Sequence, residues 1–445
     1  MYVKQLIVLG NGFDLACGLQ SSYKDFFLDR FNKLFCDDNN HMSSTDDTEL
    51  ENSLHDARDN IWFSTSNLSN PRVYRPSTPG IQITKPDYFK EFSGEWTNNQ
   101  SLTRWDIFFL FAEHCLDKKI NKYQWQDIES VILEVISIAL DFKNKYTLRL
   151  EYKDLVSIGQ SRMPGEQLFK QLIYNISYVG KLSPEETAAE LLNELEKFES
   201  IFASFINKQF DLNDVSSPYL SKAKELLRHL SRYHSDAFID ETSEISIFSF
   251  NYSLDERFQN ILDDSRIKSW TNIHGIASFK DPNIKSSSAT NDGSIGDGLI
   301  PAPIFGVDNH DIGINNSDDW RIIFTKPYRV IENGVNEIRR SNGYKNTDVI
   351  TIYGHSLGQA DYSYFETLFD ENNLYDSNTR IEYFYYAGRN QIEKIKNRKN
   401  AIKTLYNLLL DYGKTLDNQH GTNIINKLNI ENRLRIASTE RILSI

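Results

Sequence analysis

A continuous apolar run at residues 6–9 (LIVL) stops abruptly at Gly10-Asn11-Gly12. Small and polar residues follow, and apolar positions then recur with helical spacing through residues 23–27. This is the pattern of a buried parallel strand, a glycine turn and a helix, which the spacing extends over about residues 21–34. The apolar pattern then lapses. Residues 37–60 are polar and acidic, and 67–99 are rich in Pro, Ser, Thr and Asn, the composition of a long irregular region that is mobile without ligand. Helical periodicity resumes at Trp105. Over 127–142, Ile128, Val131, Ile132, Val135, Ala139 and Phe142 share one face. Ser183-Pro184-Glu185-Glu186 combines an N-cap serine, a first-turn proline and a glutamate spaced to reach back. The helix it opens carries Ala188, Leu191, Leu192, Leu195, Phe198, Phe202 and Phe205 on one stripe. Residues 105–235 therefore read as a helical insertion whose apolar stripes form core.

Strand character returns at 244–250 (EISIFSF) and 269–273. A weaker candidate follows at 303–307, where Pro303 and Gly306 suit an edge or a loop. Residues 347–353 and 381–386 complete the set, and the Ser/Asn/Gly/Asp stretch 286–298 between them reads as a flexible loop. From 391 onward the spacing is helical, with Gly413 as a C-cap, and the chain shows no internal repeat. Strands at both ends around a helical block predict an α/β fold: a Rossmann-like parallel sheet with a large helical insertion and C-terminal helices. The expected divisions are a discontinuous sheet domain over 1–36 and 236–390, an irregular region over 37–104, the insertion over 105–235 and a helical extension over 391–445.

Each apolar strand ends in a polar or glycine cluster: Gly10-Asn11-Gly12, Asn251-Tyr252-Ser253, His274-Gly275 and Gly354-His355-Ser356. In an open α/β sheet the ligand lies outside the carboxyl ends of the strands, so the four clusters converge on one crevice. Two glycines let backbone amides approach a ligand, and a helix start favours an anion. The turn at 10–14 thus points to a nucleotide, with the amides of Gly10, Asn11, Gly12 and Phe13 on its diphosphate.

Charge and cysteine usage narrow the partners. A net charge of −13 argues against non-specific nucleic-acid binding, which needs a counterion-releasing surface. The 3 cysteines, Cys17, Cys36 and Cys115, form no CxxC pair, so neither a zinc ribbon nor a disulfide framework is supported. No metal is expected, and a reducing cytoplasm is the expected location. No apolar run approaches the roughly 20 residues of a membrane span, and the opening strand does not fit a signal peptide.

Two chemistries fit the clusters. Gly354-His355-Ser356-Leu357-Gly358 follows an apolar strand and matches the G-x-S-x-G nucleophile elbow of serine hydrolases. There Ser356 would attack a carbonyl, the acid would be Asp361, Asp370 or Asp376, and the only later histidine is His420. Gln359 departs from the small residues that usually follow such an elbow.

The other chemistry uses all four clusters. The segments GNGFDLACGLQSSYKDFF (10–27), FSFNYS (248–253), NIHG (272–275) and YGHSLGQADYSYF (353–365) resemble the bacteriophage abortive infection AbiH family, well at both ends and weakly through the helical middle. In the same order they resemble, more distantly, the sirtuin-like fold. There a glycine turn, a TNYD-like strand end, a histidine-glycine and a G-x-S segment line an NAD crevice. Sirtuin-like domains in bacterial defence proteins tend to hydrolyse NAD. The resemblance implies that Asn251 matches the catalytic asparagine and His274 the catalytic histidine. Gly10 and Gly12 match the phosphate turn, and Gly354 and Ser356 the segment near the adenosine half of NAD. Asp361 rests on the AbiH-like GHSLGQAD run alone. Asp14 stands where a small hydroxyl residue is usual. The zinc-binding cysteines and the peptide-channel arginine motif are missing, which argues against protein deacylation.

The chemistry can be stated without a family. NAD hydrolysis breaks a bond between ribose and a cationic pyridinium through an oxocarbenium-like transition state. The site needs diphosphate donors, a polar group to place water and a base. Asn251 can place the water or bond the ribose, and His274, an imidazole with an ordinary pKa of about 6.5, can take the proton. Asp14 or Asp361 can orient a ribose hydroxyl. With the role that the AbiH resemblance implies, the expected function is an antiphage effector that consumes NAD as substrate; the alternatives are a nucleotide-binding sensor or scaffold without turnover, and the serine hydrolase. The long loops and the helical insertion are where a homo-oligomer contact or a partner defence protein would engage. Each candidate has an ordinary role open to it as well. Asn251 suits a turn, Asp14 a helix cap, Ser356 its own loop, Asp361 a solvated helix start, and His274 a hydrogen-bonded strand end. His355 is expected to be structural or to support the site, and Trp125 and Trp270 to be core.

Overall fold

The computed structural model describes residues 2–35, 103–116, 125–140, 165–177, 182–214, 216–232, 243–277, 303–312, 319–333, 344–358, 361–416 and 421–439. The stretches 37–99 and 286–298, expected to be mobile, lie outside the described residues, as do Phe142 and His420. In chain order the elements are β1 (Lys4–Leu9), α1 (Gly12–Cys17), α2 (Tyr23–Phe35), α3 (Arg104–Cys115), α4 (Trp125–Leu140), α5 (Gly165–Ile176), α6 (Pro184–Asn207) and α7 (Pro218–Arg232). They continue with β2 (Glu244–Ser249), α8 (Phe258–Leu262), β3 (Ile267–Asn272), α9 (Asn309–Ile312), α10 (Lys326–Glu332), β4 (Val349–Tyr353), α11 (Tyr362–Glu371), β5 (Arg380–Tyr385), α12 (Gln391–Thr415), α13 (Ile424–Ile430) and β6 (Leu434–Ser438).

The six strands form one sheet of order β3-β2-β1-β4-β5-β6, with every neighbouring pair parallel. This is the doubly wound order, and the direction of winding reverses between β1 and β4. The expected α/β class, parallel sheet and helical insertions are therefore present. β1 and β4 sit at the centre and are buried along almost their whole length because both of their faces are covered. Leu6 and Val8 of β1, Ile350 and Ile352 of β4 and Ile381 of β5 are at most 1% exposed and pack with Phe365 and Phe369 of α11 and Leu405 and Leu409 of α12. Burying each such side chain fully contributes about 1.5–3 kcal/mol, so this face alone fixes the register of the central strands.

The chain divides into two compact units: Met1–Ser22, Glu199–Gly313 and Thr325–Ile445 in the first, Tyr23–Phe198 and Ile314–Phe324 in the second. The first unit takes in α7, the end of α6 and the C-terminal segment, a larger share of the chain than the discontinuous domain read from composition. α7 belongs there because Gln5 of β1 donates through Nε2 to the Leu230 carbonyl (3.1 Å) and to Thr351 Oγ1 (2.8 Å) of β4. The C-terminal segment corrects the sequence reading: it does not end as a helical extension, because β6 pairs with β5 and closes the sheet. Gly413 is not a C-cap either. It lies inside α12, where its backbone packs directly on that of Gly421 and leaves no room for a Cβ. Residues 303–307 form no strand; only a single parallel bridge joins Val307 to Thr325.

In the second unit, α2 turns Tyr23, Phe26, Phe27 and Phe31 inward, and Trp105 and Phe109 of α3 and Phe198 are buried as well. Tyr23 and Phe198 each meet Phe109 edge-on or tilted, at 5.4 and 5.2 Å between ring centroids. The capping box at Ser183 forms as expected, with Glu186 N–H on Ser183 Oγ (3.2 Å) and Ser183 N–H on Glu186 Oε2 (2.8 Å). The stripe from Ala188 to Phe205 is buried, as are Ile128, Val131, Ile132, Val135 and Ala139 on α4 and Trp270 on β3.

Candidate functional site

β1, β2, β3 and β4 are consecutive in the sheet and parallel, so the clusters that follow them share one edge. The ladders continue into the loops: Phe250 N–H donates to the Leu9 carbonyl (2.8 Å), Ile273 N–H to that of Ser249 (2.8 Å) and Gly10 N–H to that of Tyr353 (2.9 Å). Gly12 N–H then reaches the Gly354 carbonyl (2.8 Å), and Phe13 N–H the Gly10 carbonyl (2.9 Å). The expectation that the amides of Gly10 to Phe13 hold a diphosphate thus meets a different arrangement. The amides of Gly10, Gly12 and Phe13 bond within the fold, because the loops after β1 and β4 press backbone on backbone. A Cβ on Gly10 would meet the His355 main chain, and one on Gly12 would lie 2.7 Å from Gly354 Cα. The Asn11 side chain accepts from Ser21 Oγ through Oδ1 (2.6 Å). Gly354 has φ +70° and a Cβ there would come within 2.7 Å of the Gly12 carbonyl carbon. Gly354→Ala therefore adds a left-handed penalty of about 1–2 kcal/mol to overpacking of about 1–3 kcal/mol. Thermal unfolding should show a loss of about 2–5 kcal/mol; a variant as stable as the wild type contradicts this close approach.

Asp14 lies in the first turn of α1 and is 2% exposed. It caps nothing: α1 has Asn11 as N-cap, with no side-chain cap bond. Its carboxylate instead receives the Tyr219 hydroxyl on Oδ1 (2.7 Å) and the Ser253 hydroxyl on Oδ2 (2.6 Å), with the Asn251 side chain as a third partner. Burial pushes the Asp14 carboxyl up to about 6, against the pull of the hydrogen bonds from Ser253, Tyr219 and Asn251. Asn251 is 4% exposed. Its N–H donates to Ser249 Oγ (3.1 Å) and its carbonyl accepts from Asn272 Nδ2 (3.0 Å), which fixes the turn. Its side-chain oxygen Oδ1 is buried and has no hydrogen-bond partner among the described residues. An orphaned buried acceptor costs about 1–3 kcal/mol, so its retention calls for a reason.

A second cluster centres on Asp361. Lys326 Nζ, almost wholly buried at the start of α10, donates to Asp361 Oδ1 (2.7 Å). His355 Nδ1 accepts the Leu357 N–H (2.9 Å), so the proton of its neutral ring is on Nε2, which faces Asp361 Oδ2 at 3.2 Å. His274 Nε2 stands 4.0 Å from Asp361 Oδ1, beyond hydrogen-bond length. Burial opposes ionisation of Asp361, but the Lys326 ammonium beside it and the hydrogen bond from His355 hold its carboxyl well below the usual range. Phe250 packs between the rings, with centroids 4.4 Å from His355 and 5.6 Å from His274. Tyr364 meets His274 at 5.1 Å. The residue before Asn251 thus packs both imidazoles, while Asn251 itself engages Asp14.

Ser356 is exposed, and Leu357, with φ +53°, takes the left-handed conformation beside it. Asp361, the first acid considered for a serine triad, is held by Lys326 and His355 instead. Tyr219, Ser253 and Lys326 were not singled out by sequence reasoning. Ser253 lies in the quoted FSFNYS segment, but Tyr219 opens an amphipathic helix and Lys326 follows an unremarkable loop, with no local pattern to mark them. Among the described residues no group of His, Cys, Asp and Glu is arranged to hold a metal ion, and no helix is long and apolar enough to cross a membrane.

The family model described as bacteriophage abortive infection AbiH matches residues 6–385, which includes every residue of both clusters. The chain belongs to that family, which supports a role in phage abortive infection. Neither a curated protein nor a solved structure matches it.

Proposed function

We propose that this member of the AbiH family is an abortive-infection effector that binds NAD at the carboxyl edge of its sheet, around β1 and β4, and hydrolyses it to nicotinamide and ADP-ribose. The observation that carries the reading is Asn251 Oδ1, a buried acceptor left unpaired among the described residues at the edge where doubly wound sheets bind nucleotides. The resemblance of the four strand-end segments to sirtuin-like domains supports the same ligand. In the reaction the oxygen of water bonds to ribose C1′ as the bond from C1′ to the pyridinium nitrogen breaks. The electron pair of that bond leaves with nicotinamide, which departs neutral, and the water proton passes to a base. Asn251 Oδ1 can accept from the water or from a ribose hydroxyl. His274, whose Nε2 stands 4.0 Å from the Asp361 carboxylate, is the candidate base for that proton.

Product analysis with purified protein and NAD tests this directly: nicotinamide and ADP-ribose should appear together. Binding of NAD with no product under any trigger would favour a nucleotide sensor. The serine-hydrolase alternative has its own check. Ser356→Ala should weaken NAD cleavage modestly through lost binding, and an active-site serine probe should leave the protein unlabelled. Stoichiometric labelling of Ser356 would reverse the choice.

A further inference from the structure

Asp14 stands where the sirtuin pattern has a small hydroxyl residue, and the expectation that it caps α1 fails in the structure. Its place suggests another task. An ionised carboxylate only accepts hydrogen bonds, so the atom of the Asn251 amide that faces it has to be the Nδ2 donor. The amide oxygen then points the other way, and it is this oxygen that is buried and unpaired among the described residues. We propose that Asp14 is the positioning residue of the site: its carboxylate holds Asn251 with Nδ2 inward, so that Oδ1 faces the ligand and selects a hydroxyl donor, either the attacking water or a ribose hydroxyl. The inference rests on the reading of this edge as the NAD site, and it adds what sets the polarity of the asparagine. Tyr219 and Ser253 each donate to one oxygen of the carboxylate, at 2.7 and 2.6 Å, which fixes its orientation.

A protonated Asp14 changes the sense of this contact. Its carboxyl can donate to Oδ1, and the amide turns over to present N–H where the ligand needs an acceptor. The titratable groups facing Asp14 are Tyr219 from α7 and Cys17 from α1, and burial raises both well above neutrality, so neither is charged in this range. Lys222 of α7 is the cation acting on Cys17. Asp14 titrates at about 6, and the ionised form is the one that orients Asn251 productively. Activity therefore falls as pH drops through about 6.

The test follows nicotinamide release from NAD by the purified full chain between about pH 5 and 8. Asp14→Asn should lower kcat by about 10–100-fold, the size of effect expected from misorienting a group that bonds the reacting atoms. KM should change little, and the acid limb should disappear. Tyr219→Phe removes a hydrogen bond that lowers the Asp14 pKa, so the limb should move to higher pH. This second variant keeps the proposal testable should Asp14→Asn fold poorly. The double variant Asp14→Asn/Asn251→Ala should be no slower than Asn251→Ala alone, because Asp14 acts through that amide. Should the wild type bind without turnover, ADP-ribose affinity by calorimetry gives the same readout, with weaker binding below about pH 6 that Asp14→Asn abolishes. A wild type that cleaves NAD while Asp14→Asn keeps full kcat and its acid limb overturns this inference and leaves the NAD reading standing. A wild type that neither cleaves NAD nor binds ADP-ribose overturns both.

Discussion

Asn251→Ala and His274→Ala are each expected to reduce NAD cleavage by about 10²–10⁴-fold, the contribution typical of a general acid–base or water-placing group. Stability should change little by comparison. Both residues sit in turns beyond their strands, where truncation removes hydrogen bonds without opening a core cavity of the size that costs 2–5 kcal/mol. For Asn251, alanine removes an acceptor that has no protein partner among the described residues, and the loss is confined to the amide contact with Asp14, which Tyr219 and Ser253 still hold. For His274 the ring contacts with Phe250 and Tyr364 are lost, and a small fall in melting temperature is expected. The measurement is nicotinamide release by purified protein, with thermal unfolding alongside. Purified protein matters because toxicity in cells can arise from a partner. Full activity in both variants, with an active wild type, would move the chemistry elsewhere on the edge.

The second large effect concerns stability. Glu199 and Arg329 form a buried ion pair with side chains 3% and 0% exposed, bonded through both Arg329 NH groups at 3.1 and 2.9 Å. Glu199 Oε1 also accepts the Phe305 N–H (2.7 Å). Glu199→Ala leaves a guanidinium buried without its carboxylate, which should cost about 3–5 kcal/mol in urea unfolding. Replacing both residues together, as Glu199→Leu/Arg329→Met, should cost less than the single change, because no uncompensated charge remains. The pair reaches the site through the 303–307 segment. Ile304 N–H donates to the His274 carbonyl (2.8 Å) and the Tyr252 hydroxyl to the Ile304 carbonyl (3.1 Å). The Glu199→Ala protein should therefore lose NAD cleavage even at temperatures where it remains folded. A single variant within about 0.5 kcal/mol of the wild type would show that the clamp is not needed.

The central strands and the helical stripes were legible in the chain because both are local periodic signals. Runs such as LIVL at 6–9, and VITIY at 349–353 with Thr351 as its one polar member, do not alternate apolar with polar, which is the pattern of a strand covered on both faces. β6 escaped notice for the opposite reason. LRIAS is an edge strand, half exposed along its length, and carries Arg435 among its apolar residues, so nothing in it announces burial. Gly413 misled because a glycine late in a helical stretch has two uses, and only its packing on Gly421 decides between them.

The sequence by itself determined the class of fold, the family and the edge where the chemistry-bearing residues gather, since strand ends and their glycine or polar clusters are readable from order along the chain. Only the tertiary structure decided how those residues are wired. Tyr219 reaches Asp14 across 205 positions, and Lys326 reaches Asp361 across 35, and no periodicity spans such distances. Other long-range contacts decided that the glycine turn bonds the neighbouring loop, that Asp14 faces Asn251, and that Asp361 is held by Lys326 and His355. The physical reason is that the neighbours, not residue type, set what a buried carboxylate does: Asp14, surrounded by neutral donors, is pushed up to about 6 by its burial, while Asp361, beside an ammonium, stays ionised.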